Sequence, residues 1–264
     1  MNASGSAPSI VTCSDSSDFL TLLQDLGSSD NVVRNQAEKN FEALKANNNM
    51  NGQLAFYLLS SVTSAAVPGH IRTLSAVLLR RELMKDDSIY HAITSVEAKA
   101  SFRLEMLKAV DTDEDMKMRG RIIELIGELY ARQMETDEWP ELLTYIVESL
   151  HSGDITKRET GFGLLGMLPP EALSIVFNGQ NFASIMTVFQ TSLLDDNHDG
   201  RLMLQALRSL CSIFGGLTKW EHFDPFKVLA APIFQGLELS ISGILSGRIN
   251  THVYQIVCFK SPHY

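Results

Sequence analysis

Ser28-Ser29-Asp30-Asn31-Val32-Val33-Arg34-Asn35-Gln36-Ala37-Glu38 is the stretch that decides the fold. It reads as a helix start. Asp30 follows two serines, and its carboxylate can take the orphan N–H groups of a first helical turn while meeting the positive end of the helix dipole. Arg34 stands four residues on, the favourable acid-then-base spacing. Val33, Ala37, Phe41 and Leu44 then recur at helical spacing and form one apolar stripe.

The same pattern recurs along the chain. Arg34, Arg72, Arg119, Arg158 and Arg201 align at intervals of 38, 47, 39 and 43 residues. Four residues before them stand Asp30, Pro68, Asp115, Asp154 and Asn197, of which all but Pro68 are good N-caps. Between these points the chain reads as helices of about 10–20 residues joined by short turns, and no stretch alternates as a strand. Helices are expected over Ser17–Leu26, from Asp30 to Ala46, and around Leu54–Val62 and Ile71–Lys85. Others are expected from Ser95, after the acidic turn 111–115, from Pro140, after Asp154 until Pro169-Pro170 stops it, around Ile185–Leu193 and over Arg201–Phe214. A last pattern spans Phe226–Leu245, with Pro232 expected to kink it.

A period near 40 with two helices per unit is the signature of HEAT-type repeats. The expected fold is therefore all-α, a right-handed α-solenoid of about six helix pairs over residues 17–247. A flexible start precedes it at 1–16 and an atypical tail follows at 248–264. One pair cannot bury its own apolar face, so neighbours stack, and the last pair is expected to leave apolar surface near residues 226–264.

Composition agrees with a globular chain: 264 residues, 45% hydrophobic, 20% charged, net charge −9. That balance argues against a nucleic-acid binder and suits a basic partner. Cys13, Cys211 and Cys258 are far apart, with no CxxC pair, and read as isolated buried thiols. Met1–Ser17 has neither the basic nor the apolar region of a leader, and Asn2-Ala3-Ser4 is a sequon without a secretory context. No run of about eighteen apolar residues predicts membrane insertion.

Chemistry-bearing motifs are few. Gly161-Phe162-Gly163-Leu164-Leu165-Gly166 fits GxGxxG, but no strand precedes it and two prolines follow, so it reads as small residues for close helix packing. Asp195–Gly200 matches the front of a calcium loop, but its twelfth position is Ala206 rather than a bidentate Glu. It reads as a turn. The seven histidines lack ligand spacing, and neither a GxSxG nor a catalytic dyad is present. No catalytic, cofactor-binding or metal residue is assigned, and no cofactor is expected. Trp139 reads as a core anchor, Cys211 as an inert thiol on an apolar face, and Arg34 as a structural residue in an ion pair within or between repeats.

Three motifs carry a resemblance. The Ser29–Glu38 segment, Ala76-Val77-Leu78-Leu79-Arg80-Arg81 and Trp139-Pro140-Glu141-Leu142-Leu143 resemble, in order and spacing, the start of the importin-β (karyopherin-β) nuclear transport receptors, nearest their importin-5-like branch. The resemblance covers about residues 17–245. It implies a transport receptor, not an enzyme, working in cytoplasm, nucleus and nuclear pore. It implies a partner in the small GTPase Ran in its GTP form, with nucleoporins and basic cargo proteins as further partners. Family members are far longer, and a chain ending after about six repeats is expected to be a shortened product lacking most of the cargo surface. The surface residues the resemblance points to are Glu38 on the first second-helix, Arg80 and Arg81 on the next, and Lys117 and Arg121 on the third. The other reading is a HEAT-repeat scaffold without Ran dependence.

Overall fold

The computed structural model describes residues 16–47, 51–85, 88–133, 139–177, 180–195, 200–217 and 224–245. The start, the tail, Cys13, Cys258 and positions 196–199 of the acidic loop lie outside them. The described residues form twelve α-helices, one 3-10 turn and no strand. The helices are α1 (Ser16–Leu26), α2 (Asn31–Ala46), α3 (Asn51–Thr63), α4 (Gly69–Leu83), α5 (Val96–Thr112), α6 (Met116–Gln133), α7 (Pro140–Leu150), α8 (Ile155–Leu165), α9 (Pro170–Val176), α10 (Gln180–Leu193), α11 (Arg201–Gly216) and α12 (Ala230–Leu245), with the 3-10 turn at Asp224–Leu229. The all-α reading is correct. No single helix among the described residues is long and apolar enough to cross a membrane.

The chain divides into two compact units, Met1–Ile122 and Ile123–Tyr264. In the first, α1 packs on α2 and α3 on α4, while α3 also touches α1 and α5. First helices thus stack on first helices. Its core is aromatic: Phe19 stacks on Tyr57 at 5.4 Å, and Phe102 meets Phe56 and Tyr90 edge-on. In the second unit α7 packs on α8 and α10 on α11. Here α10 stacks on α7 and α11 on α8, so both rows of the repeat are continued. Phe226 of the 3-10 turn is ringed edge-on by Phe177, Phe182 and Phe214. Trp139 is buried at the head of α7, as its reading as an anchor requires.

The start of each second helix explains the repeat. The first helical bond closes from Arg34 N to Asp30 O, from Arg72 N to Pro68 O, from Arg119 N to Asp115 O and from Arg158 N to Asp154 O. The four arginines are therefore equivalent. Asp30, Asp115 and Asp154 accept from the N–H groups of Val32, Lys117 and Thr156 at 2.7, 2.9 and 2.8 Å. Each aspartate's own N–H is held by the residue two before it, Ser28, Asp113 or Ser152. Removing one cap should register: Asp30→Ala is expected to cost about 1 kcal/mol, read as a lower urea midpoint with an unchanged slope. An unchanged midpoint would mean that water replaces the cap.

Four expectations need correction. Arg201 is not the fifth equivalent, because the first bond of α11 closes from Leu204 N to Gly200 O, three residues later. Its N-cap is Gly200 at φ 70°, a left-handed backbone that glycine adopts without a Cβ penalty. Pro169-Pro170 ends α8 and also starts α9, a helix the sequence reading lacks; Pro170 occupies its first position, where a missing N–H costs nothing. Pro232 does not kink a helix. It lies in the first turn of α12, which begins at Ala230 directly after the 3-10 turn, where a missing N–H breaks no α-helical bond. Cys211 is exposed, because the buried face of α11 runs through Leu202, Met203, Ala206, Leu207, Ser209, Leu210 and Ile213 and leaves it outside.

Candidate functional site

The glycine run settles one question. All of Gly161–Leu165 is buried within or at the end of α8. A Cβ on Gly161 would stand 3.0 Å from Leu150 N, and one on Gly163 would stand 3.1 Å from Gln205 Nε2 and 3.2 Å from Ile123 Cδ1. The run brings α8 close to its neighbours, and its N–H groups are spent inside the helix. It has no open N-terminus for a phosphate. Among the described residues no group of three or more metal-ligating side chains occurs.

The recurring arginines of the repeat are structural, as the reading of Arg34 expects, although the bonds of Arg34 go to neutral oxygens. Arg34 Nη1 donates to Ser28 O at 3.2 Å, and Nη2 donates to Asn31 Oδ1. Arg72 Nε donates to Val62 O at 2.8 Å at the end of α3, and Nη2 pairs with Asp113. Arg119 Nε and Nη2 both donate to Asp113 O. Each thus caps a carbonyl of the turn before its helix. Asp113 collects three of these links: its side chain holds Arg72 and Asp115 N, and its carbonyl holds Arg119. Arg158 departs, with an Nε that has no hydrogen-bond partner.

The five candidate surface residues all fall in the first unit, on the second helices α2, α4 and α6. Glu38 is exposed on α2, where it lines a shallow open depression with Asn35, Lys39 and Glu42. Arg80 and Arg81 are exposed on α4, beside the exposed Val77. Lys117 is exposed and Arg121 half-buried, one turn apart on α6. Neither is tied into an ion pair among the described residues.

Around Arg81 the structure assembles a cluster that sequence reading misses. Glu82 lies on the apolar stripe of α4 with Leu78, Leu79 and Leu83 and is only 2% exposed. Its carboxylate takes Lys85 Nζ at 2.6 Å, Arg81 Nε at 3.0 Å and, across from α2, Lys45 Nζ at 3.6 Å. Lys45 is also held by Glu42 at 2.6 Å. Burial alone would push the Glu82 carboxyl up; the hydrogen bonds and charges of Lys85, Lys45 and Arg81 together outweigh it and hold Glu82 below the ordinary carboxylate value. Lys85 is correspondingly raised, chiefly by its bond to Glu82. An acid inside an apolar stripe, with a lysine three residues on, is the one signal that could have revealed it.

The sign of the linkage follows. Glu82 takes a proton more easily in the unfolded chain, near the usual value of about 4.3, than in the fold. Its contribution is complete above that value and is lost as pH falls through the folded value. The stability gap between the unsubstituted chain and Glu82→Gln is therefore expected to start closing as pH falls through about 4.3 and to go on closing below it, measured by urea unfolding. A gap that stays constant would contradict the assignment.

Comparison with known proteins places this architecture. The family model described as IPO5-like, TPR repeats matches residues 114–243. Importin subunit beta-3 of Saccharomyces cerevisiae is 28% identical over 212 residues, covering 77% of this chain and 18% of that protein. A probable importin-5 homolog of Dictyostelium discoideum is 28% identical over 246 residues, 92% of this chain and 22% of that protein. The chain is similar to importin-β proteins over most of its length. Among solved structures, Kap121p bound to Ste12p aligns with a TM-score of 0.71 at 25% identity, over 88% of this chain and 21% of its own. Kap121p has also been solved bound to RanGTP and to Nup53p, with TM-scores of 0.68 and 0.69. The chain spans about a fifth of the length of these importin relatives. Second helices here begin at 31, 69, 116, 155 and 201, intervals nearer the HEAT period than the 34 residues of a TPR unit.

Proposed function

We propose that this chain acts as part of a nuclear transport receptor and that the second helices of its first unit bind the GTP form of Ran. The observation that carries the reading is the placement of Glu38, Arg80, Arg81 and Lys117. All four are exposed on second helices of successive pairs, with the half-buried Arg121 beside them on α6. Kap121p, of the same fold, is solved with RanGTP, with Nup53p and with Ste12p, which supports Ran, a nucleoporin and cargo as the partner classes. The net charge of −9 favours basic cargo. The role is binding without chemistry of its own, and it places the protein in cytoplasm, nucleus and nuclear pore.

The test is a titration of the 264-residue chain with Ran loaded with GTP or GDP. The expected result is a marked preference for the GTP form, weakened by reversing Arg80 and Arg81 together to Glu. Equal binding of both forms, or binding of neither, would replace this reading with a scaffold that works without Ran.

A further inference from the structure

We infer that Glu82 is a positioning residue, which presets Arg81 as an outward fork flanked by Lys45 and Lys85, to receive a carboxylate from an acidic partner surface. The inference rests on the reading above, in which the arginines of α4 face the partner.

Three observations carry it. First, Glu82 is buried while the cations around it are not equally so: the side chain of Arg81 is 52% exposed and that of Lys85 is 37% exposed. A protein approaching α4 meets the cations, with the acid behind them. Second, Glu82 engages Arg81 through Nε only, at 3.0 Å. Both Nη groups remain, and among the described residues no acceptor takes them. A guanidinium held by Nε presents its two Nη donors as a planar end-on pair, the geometry that matches a carboxylate bidentately. Third, the carboxylate that holds Arg81 is fixed from two other sides, by Lys85 at 2.6 Å and by Lys45 of α2 at 3.6 Å. Arg81 therefore gives up less side-chain freedom on binding than a free surface arginine does, which raises affinity without adding a contact.

A purely structural role for this cluster, tying α2 to α4, predicts a different response to substitution. If Glu82 acts through Arg81, its removal costs binding only where Arg81 is present. The experiment is a double-mutant cycle on affinity for GTP-loaded Ran, with far-ultraviolet circular dichroism and urea unfolding checking that each variant is folded. Arg81→Ala is expected to weaken binding about tenfold. Glu82→Gln is expected to weaken it about threefold or more in the unsubstituted background and to have no effect in the Arg81→Ala background. Arg81→Lys keeps the charge, loses the fork and leaves the buried stripe untouched. It is expected to bind nearly as weakly as Arg81→Ala. Wild-type affinity in Arg81→Lys, or an equal loss from Glu82→Gln in both backgrounds, overturns the inference while leaving Ran binding intact. Failure of the unsubstituted chain to bind Ran overturns the parent reading, and this one with it.

Discussion

Arg72→Ala is expected to cost the first unit about 3–5 kcal/mol, enough to shift its folding equilibrium by two orders of magnitude or more. The reason is what the substitution leaves behind. Arg72 and Asp113 are nearly buried, with side chains 9% and 6% exposed. Truncating the arginine strands an uncompensated carboxylate and frees the Val62 carbonyl at the end of α3. Asp113 also holds Asp115 N, so the start of α6 loosens with it. Urea unfolding followed by circular dichroism measures the loss. Adding Asp113→Ala to Arg72→Ala is expected to cost less than the two single losses combined, because the stranded charge goes with it. A loss below about 1 kcal/mol, the range of an exposed pair, would mean that water reaches the site and that the link is a surface ion pair.

Phe162→Ala carries a comparable penalty in the second unit, about 3–5 kcal/mol. Phe162 is fully buried and lies 4.8 Å from Phe189, centroid to centroid, tilted by 48°. Large-to-small changes cost most where neighbours cannot collapse into the space. Phe162 is flanked by Gly161 and Gly163, which have no side chains to swing in, and the helices beside them already approach to van der Waals contact. Hydrogen exchange at the amides of α8 and α10 reads the result. Wild-type protection there would show that α8 shifts as a body and refills the cavity. Phe162→Leu, which fills most of the volume, is expected to recover more than half of the loss.

Much of the fold is legible in the residues, and for a definite reason. Caps and periodic stripes are local signals, and this fold is made of local elements. Asp30, Ser95 and Asp154 mark their helix starts without any tertiary information. The misreadings occur where one residue type serves two local ends. Pro170 can close a helix or open one, and only the chain beyond it decides. Arg201 has the right chemistry in the wrong phase, because α11 starts from a glycine and has no acidic cap aligned with that arginine. Cys211 follows the buried Leu210 directly, and a stripe as broad as that of α11 does not show where its edge falls.

The surface is less legible than the fold. The motif AxLLRR marks Arg80 and Arg81, and both are exposed as a docking residue must be. It does not mark Glu82 as the residue that organises them. Lys45 contributes from another helix, 37 positions earlier, and no local pattern links the two. Pairings across helices appear only once the pairs are stacked.

The ties between repeats are short in sequence. Arg72 reaches Asp113 across 41 residues, and Ser212 donates to Gly166 across 46, each about one repeat. These ties therefore do not wait for distant segments of the chain. During synthesis, a helix pair can lock as soon as the next pair has left the ribosome, without waiting for the remaining length to be translated. For relatives several times longer than this chain, that makes assembly a sequence of small, early commitments, and the interval in which an apolar face lies bare lasts only as long as one repeat takes to emerge.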